Sequence, residues 1–139
     1  MRVLLDTNVV LDFLLDRAPF AETAAALWRA NEDGRIIIYV SVITPVNVFY
    51  IARKIKGAAV ARQLVESLLT ASRVCGPDRD MLLAALALPL RDFEDAVQVM
   101  SAQAEMLDAL VTRDPADYQG IGYPVLSPTD CLTQIAPES

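Results

Sequence analysis

Three aspartates are the residues of this sequence best suited to chemistry. Asp6 follows an apolar run, Asp95 lies at the start of a helical stretch, and Asp114 follows a second apolar run. The carboxyl ends of parallel strands meet at one edge of a sheet, where we expect these side chains to converge. Carboxylates so close together repel one another unless one is protonated or a cation bridges them. Because Mg²⁺ and Mn²⁺ prefer carboxylate and water oxygens, the pattern predicts a divalent cation held by Asp6, Asp95 and Asp114.

The residue types that are missing narrow the chemistry further. The 139 residues include no histidine, which excludes Ser-His-Asp and Cys-His nucleophilic schemes, histidine bases and histidine metal sites. Cys75 and Cys131 lie far apart without CxxC spacing, and we expect both to be buried core residues. Any metal should therefore have oxygen ligands, which favours Mg²⁺ or Mn²⁺ over Zn²⁺.

The charge of the chain is distributed unevenly. A net charge of −6 argues against a nucleic-acid partner. Between Gly34 and Val65, however, there are five basic residues and no acidic one, namely Arg35, Arg53, Lys54, Lys56 and Arg62. Such a stripe can contact phosphates while acids elsewhere gather cations. A solvated helix face explains the stripe equally well.

The apolar pattern supplies the elements that must position the aspartates. Predicted strands cover Arg2–Leu5, Ile36–Val40, Arg73–Cys75, Leu107–Thr112 and Tyr123–Leu126. Predicted helices cover Val9–Leu15, Phe20–Asp33, a segment beginning around Thr44, Ala58–Ala71, a segment from Pro77 to about Leu88, and Phe93 to about Glu105. We expect a polar, proline-bearing tail after Leu126. This alternation predicts βαβ units and an α/β fold with a mainly parallel sheet, as one domain over residues 1–139.

Each acid also has a simpler structural explanation. An aspartate that directly follows a strand, such as Asp6, is often a helix N-cap. Asp92, followed three residues later by Asp95, has the spacing of a capping pair, and capping is our preferred interpretation for Asp92. The segment from Asp114 to Asp117 has the composition of a turn.

Four short segments run in order through the chain. They are Leu4-Leu5-Asp6-Thr7-Asn8, Ser41-Val42-Ile43-Thr44, Asp92-Phe93-Glu94-Asp95-Ala96 and Val111-Thr112-Arg113-Asp114-Pro115. Their order and spacing resemble the PIN domain, in particular the branch that includes VapC-like toxins of bacterial toxin–antitoxin pairs. The resemblance covers nearly the whole chain. It implies an α/β/α sandwich around a mainly parallel sheet, with acids from four places lining one metal pocket.

The resemblance assigns the acids to family positions. Asp6 matches the first acid, Asp95 the third and Asp114 the fourth, with Asp117 as an alternative to Asp114. The second position is usually a glutamate and falls at Asn47, which is a departure. An asparagine carbonyl can accept a hydrogen bond or bind a metal, but it brings no charge. The resemblance with this departure implies one cation rather than two.

The implied function is a Mg²⁺- or Mn²⁺-dependent endoribonuclease, the toxin of a type II toxin–antitoxin pair, that cleaves RNA with a metal-activated water. Asn8 and Thr112 would orient ligands or water. Arg53, Lys54 and Lys56 would contact RNA phosphates without reading bases. A homodimer and an antitoxin protein partner are also implied. The sequence has no export signal or membrane span, so we expect a cytoplasmic protein.

Two other functions fit part of the pattern. A phosphatase with an aspartyl nucleophile also begins with an apolar run and an aspartate, but it needs a second acid where this chain has Asn8. It also needs a phosphate-binding lysine, for which the sequence offers no good candidate. A catalytically weak or inactive PIN-like module that binds a protein or RNA is the main alternative, because Asn47 removes one carboxylate.

Overall fold

The computed structural model describes residues 1–136, in which five parallel strands form one sheet. The strands are β1 (Arg2–Leu5), β2 (Ile37–Ser41), β3 (Arg73–Cys75), β4 (Ala109–Val111) and β5 (Val125–Leu126). The helices are α1 (Thr7–Leu14), α2 (Ala21–Glu32), α3 (Ile43–Lys56), α4 (Ala58–Ala71), α5 (Arg79–Ala85), α6 (Phe93–Ala104) and α7 (Pro128–Ile135). The predicted α/β fold with a parallel sheet is confirmed. Within residues 1–136 no helix has the length and apolar character needed to cross a bilayer.

Side chains of the central strand alternate between two apolar layers. Val3 and Leu5 belong to the core cluster that includes residues of α1 and α2, whereas Leu4 packs on the opposite face with Val99 and Ala102 of α6. All three strand residues are fully buried. A strand that is apolar on both faces is typical of a parallel sheet covered by helices on both sides. The result is the α/β/α sandwich that the sequence predicted.

The strand order places a crevice at the carboxyl end of β1. In the order β3-β2-β1-β4-β5, the chain extends from β1 to one side through β2 and to the other through β4. Loops that leave the two sides diverge at this point, which is where open parallel sheets bind their ligands. The backbone N–H of Asp6 donates to the carbonyl of Val111 at 2.9 Å. Asp6 therefore lies at the point where both strands end.

The C-terminal segment differs from the prediction, because residues after Ser127 form α7 rather than an irregular tail. The Ser127 hydroxyl accepts a hydrogen bond from the backbone N–H of Asp130 at 3.0 Å, and Pro128 occupies the first turn. Cys131 is fully buried in the core, and both cysteines are free, as predicted. The tail prediction was wrong for these residues, because a proline in the first turn is compatible with a helix. Residues 137–139 of the predicted tail lie outside the described residues.

The fifth helix is shorter than predicted. It ends at Ala85 rather than near Leu88. Beyond it, the N–H groups of Ala87 and Leu88 bond to carbonyls only three residues earlier, so the backbone tightens into turns. Pro89 explains this ending, because the residue before a proline is disfavoured in helical backbone.

A buried ion pair ties α1 to the loop that follows β4. The side chain of Asp12 is 1% exposed and bonds Arg17 at 2.9 Å. Its second oxygen lies 2.7 Å from Nε of Arg113, an ion pair whose geometry falls outside a hydrogen bond. The Arg113 guanidinium also lies 4.0 Å from the ring centroid of Phe20. These contacts fix the backbone on either side of Arg113, where Thr112 and Asp114 lie.

We expect Asp12→Ala to lower the free energy of unfolding by about 3 kcal/mol, because two guanidinium groups lose their buried carboxylate. Asp33→Ala is the matched control, since its pair with Arg35 is exposed and should contribute less than about 1 kcal/mol. Urea denaturation of both variants measures the difference. Losses of similar size in the two variants would contradict the anchoring role of Asp12.

Candidate active site

Asp6 is the hub of a buried polar network. It occupies the N-cap position of α1, but its side chain makes no capping bond. One carboxylate oxygen accepts from Nε2 of Gln98 at 3.1 Å. The other accepts from Oγ1 of Thr112 at 2.8 Å and from the hydroxyl of Tyr118 at 3.0 Å. With only 8% of its surface exposed, Asp6 is held by donors from three separate segments rather than used as a cap.

The alternation of the strands explains why these side chains meet. Asp6 continues the face of Leu4, which is the face covered by α6. On the neighbouring strand, Thr112 continues the face of Leu110 in the same way. On α6, Gln98 lies three residues after Asp95, a spacing that places both on one side of a helix. The network therefore follows from strand register and helix period.

Asp95 shares the Tyr118 hydroxyl with Asp6. The distance from this hydroxyl to Oδ1 of Asp95 is 3.0 Å. Burial is the main cause that raises the pKa of Asp95 to about 7. The Tyr118 hydrogen bond lowers this pKa, and the charges of Asp6, Asp92 and Asp117 contribute to raising it. Asp92 accepts the backbone N–H of Asp95 at 3.0 Å, which confirms the capping interpretation for Asp92.

Asp114 joins the network through Asn8. Its Oδ2 accepts from Nδ2 of Asn8 at 3.2 Å, and the same nitrogen lies 3.5 Å from Oγ1 of Thr112. Oδ1 of Asn8 accepts the backbone N–H of Arg113 at 3.4 Å. Asn8 and Thr112 thus form a hydrogen-bonded chain between Asp114 and Asp6. These contacts suit residues that orient ligands, and that role stays a prediction.

Asp117 lies on another side of the site from the Asp114–Asn8 contact. Both belong to the 3₁₀ turn region after β4, where the N–H of Asp117 donates to the carbonyl of Asp114 at 3.0 Å. The side chain of Asp117 lines a cleft of about 490 Å³ together with Asp92 and Asp95 of α6. Asp114 therefore faces α1, whereas Asp117 faces the cleft beside α6.

Asn47, at the second family position, is not part of this hydrogen-bond network. Asn47 is half-buried on α3, and within the described residues its side chain has no hydrogen-bond partner. One turn earlier, Oγ1 of Thr44 lies 3.4 Å from Oγ1 of Thr7. The Thr7 hydroxyl donates to Oε1 of Glu94 at 3.1 Å. A carboxylate thus reaches the contact between α1 and α3, but it comes from Glu94 of α6.

The predicted RNA-contacting residues lie away from the acids. Arg53, Lys54 and Lys56 are exposed in the last turn of α3. They follow Asn47 by six to nine residues, which corresponds to roughly 9–14 Å along the helix axis. In that position they also stabilise the negative end of the helix dipole. The structure does not bring them beside Asp6 or Asp95.

The side chains of this site offer oxygen ligands, which suit a hard divalent cation, but they are not arranged around one point. Within residues 1–136 no group of three or more acidic or cysteine side chains is arranged to hold one ion. Asp6 and Asp95 meet at Tyr118, and Asp114 connects to them through hydrogen bonds. The donors are all oxygens, as Mg²⁺ and Mn²⁺ require. The raised pKa of Asp95 marks a position where added positive charge would be stabilising. The three-aspartate metal site itself stays a prediction.

Sequence reasoning missed four polar residues of the site, namely Thr7, Thr44, Gln98 and Tyr118. Two signals were available. Gln98 is a polar residue between two valines, three residues after Asp95. Thr7 and Thr44 lie inside the segments that resemble the family. Tyr118 gave no signal, because an aromatic residue after a turn is usually a core residue.

Comparison with known families identifies the family to which the protein belongs. The PIN domain family profile matches residues 2–116. The chain belongs to the PIN domain family. The resemblance inferred from the sequence is thereby confirmed. No curated protein sequence matches this PIN domain protein.

Solved structures support the same fold. A toxin–antitoxin complex from Klebsiella pneumoniae is 24% identical, with a TM-score of 0.67 over 91% of this PIN domain chain and 97% of that chain. DNA-bound VapBC from Salmonella typhimurium is 17% identical, with a TM-score of 0.70 over 92% and 98% of the chains. VapC20 from Mycobacterium tuberculosis, described as a sarcin-ricin loop cleaving toxin, is 14% identical, with a TM-score of 0.68 over 87% and 95%. At these identities the likeness shows a shared fold.

The pKa of Asp95 predicts how stability depends on pH. Its folded pKa of about 7 lies above the unfolded value of about 3.9, so between these values the folded state binds a proton that the unfolded state does not. Stability of the metal-free protein should therefore fall as the pH rises from 4 to 7 and level off above. We expect Asp95→Asn to reduce this decline, as measured by thermal unfolding in EDTA. An unchanged pH dependence in the variant would contradict the assignment.

Proposed function

We propose that this PIN domain protein is a Mg²⁺- or Mn²⁺-dependent endoribonuclease and the toxin of a type II toxin–antitoxin pair, acting in the cytoplasm. The observation that carries the proposal is the meeting of Asp6 and Asp95 at one buried hydroxyl. These aspartates match the first and third acids of the family. Structural neighbours that are toxin–antitoxin complexes, and one described as a toxin that cleaves the sarcin-ricin loop, also support it.

In the proposed mechanism, Asp6 and Asp95 hold the cation, and Asp114 contributes from the loop after β4. A cation held there would supply charge to polarise the scissile phosphodiester and to lower the pKa of a bound water. Thr112 keeps the Asp6 carboxylate oriented through its 2.8 Å hydrogen bond. Asn8 does the same for Asp114 at 3.2 Å.

Asn47 and Glu94 share the role of the second family acid in this proposal. The amide of Asn47 offers a neutral carbonyl ligand. Glu94 supplies the charge from α6, since its carboxylate reaches the contact between Thr7 and Thr44. Site charge is therefore partly restored from a different helix, which favours a catalytic protein over an inactive one.

Substrate access is supported by the cleft beside Asp95. It has a volume of about 490 Å³ and is lined by Arg91, Asp92 and Asp117 among others. A cleft of this size accepts an unpaired nucleotide more readily than a duplex, so we propose single-stranded or looped RNA as the substrate. Arg53, Lys54 and Lys56 would contact phosphates farther along the strand.

Exposed apolar side chains support a homodimer and an antitoxin partner. At the N-cap of α3 and along this helix, Val42, Val46 and Tyr50 recur every four residues and are 49%, 54% and 56% exposed. On and just after α5, Leu83 and Leu86 are 52% and 70% exposed. Contiguous exposed apolar groups of this kind mark protein interaction surfaces.

Asp6→Asn and Asp95→Asn test the nuclease most directly. We expect each to lower metal-dependent RNA cleavage by more than about 100-fold, since loss of a ligand should exceed the 10–100-fold cost of losing its supporting partner. Asp80→Asn is the matched control, because the Asp80 side chain is 90% exposed and pairs only with an exposed arginine. The assay uses RNA of mixed structure with Mn²⁺, Mg²⁺ or EDTA.

Two outcomes would contradict the nuclease. RNA that stays intact with folded wild-type protein and either metal would favour the non-catalytic binding module, the alternative that Asn47 keeps open. Hydrolysis of a small phosphomonoester, with RNA left intact, would instead favour the phosphatase.

The basic turn of α3 is tested by replacing Arg53, Lys54 and Lys56 together with glutamine. If these residues contact phosphates, affinity for single-stranded RNA should fall, and the slope of log K against log salt should decrease in magnitude by about 2. Fluorescence anisotropy at several salt concentrations measures both quantities. An unchanged slope would mean that these residues do not contact RNA phosphates and only form a solvated helix end.

A further inference from the structure

Tyr118 occupies the centre of the acidic site although it is itself neutral. Its side chain is 3% exposed. Its hydroxyl lies 3.0 Å from Oδ2 of Asp6 and 3.0 Å from Oδ1 of Asp95. The same hydroxyl accepts a hydrogen bond from Nε2 of Gln98 at 3.2 Å. One buried oxygen therefore connects both aspartates to α6 and to the loop after β4.

The ring of Tyr118 is fixed as firmly as its hydroxyl. It belongs to the apolar cluster that contains Leu4 and Leu110, on the face of the sheet covered by α6. The residue ends the 3₁₀ turn Pro115–Tyr118, which follows directly after Asp114. Because the ring is anchored in the core, the position of its hydroxyl is set by the sheet and not by the exposed turn.

The two aspartates depend on this hydroxyl to different degrees. Asp6 has two further donors, Gln98 on one oxygen and Thr112 on the other. For Asp95, the side-chain hydrogen bond found among the described residues is the one with Tyr118, whose single hydroxyl proton can be donated to only one of the two carboxylates at a time. Asp95 is also one of the residues that line the cleft. Without the Tyr118 hydroxyl, Asp95 would lose its orientation while Asp6 would largely keep it.

We propose that Tyr118, supported by Gln98, is a positioning residue that fixes Asp95 against Asp6 and thereby sets the affinity of the site for a divalent cation. This inference rests on the proposed function, because it requires the two aspartates to bind a cation. A ligand that is held in place by a neighbouring hydrogen bond loses less freedom on binding, and such supporting partners contribute 10–100-fold to metal affinity. Tyr118 would act through the aspartates without touching the substrate.

Tyr118→Phe removes only the hydroxyl and keeps the buried ring. We expect its affinity for Mn²⁺ to be about 10-fold weaker than that of the wild type, measured without RNA by electron paramagnetic resonance of free Mn²⁺ at pH 8.5. In the cleavage assay kcat should fall while KM for RNA stays the same. Tyr123→Phe is the matched control, because the Tyr123 hydroxyl donates to the carbonyl of Leu107 at 2.6 Å, away from the aspartates.

Gln98→Met provides a second variant in case Tyr118→Phe fails to fold. It removes the amide that donates to both Tyr118 and Asp6, and it should also weaken Mn²⁺ binding. If Tyr118→Phe folds and binds Mn²⁺ as tightly as the wild type or more tightly, the positioning role alone is overturned. If Tyr118→Phe does not fold, the same result for Gln98→Met overturns it. Absence of Mn²⁺ binding by the wild type would overturn the proposed function and this inference together.

Discussion

Burial of the Asp6 carboxylate at the carboxyl end of β1 costs free energy unless hydrogen-bond donors surround it. The fold supplies those donors from α6, from the end of β4 and from the turn that follows β4. Each depends on a separate structural feature: helix period for Gln98, strand register for Thr112 and core packing for Tyr118. Three separate features of the fold therefore combine to satisfy one buried carboxylate.

Asp95 differs from Asp6 in its hydrogen-bond donors and in the charges around it. It has fewer donors than Asp6, and burial, together with the charges of several acidic neighbours, raises its pKa to about 7. A carboxyl group in this situation is stabilised by either a proton or a cation. The two aspartates therefore differ: Asp6 is held by several hydrogen-bond donors, and Asp95 is the group whose charge a cation would stabilise.

The motif aspartates could be predicted because strand ends and helix starts are visible as local patterns. Asp6 and Asp95 follow from the apolar runs beside them, and the parallel sheet follows from the alternation of strands and helices. Tyr118 could not be found in this way, because its role depends on a contact across 112 residues of chain with Asp6. Glu94 was assigned no role, because its contact with Thr7 also joins segments far apart in the chain. The final helix was missed although Ser127 and Pro128 are ordinary helix-start residues.

The central claim is that Asp6 and Asp95 hold one divalent cation. A crystal structure of the protein grown with Mn²⁺, with anomalous diffraction data collected near the manganese edge, tests it most directly. The account predicts one strong anomalous peak within direct bonding distance, about 2.0–2.3 Å, of a carboxylate oxygen of each aspartate. A map without a peak at this position, or with manganese bound only elsewhere on the protein, would contradict the account.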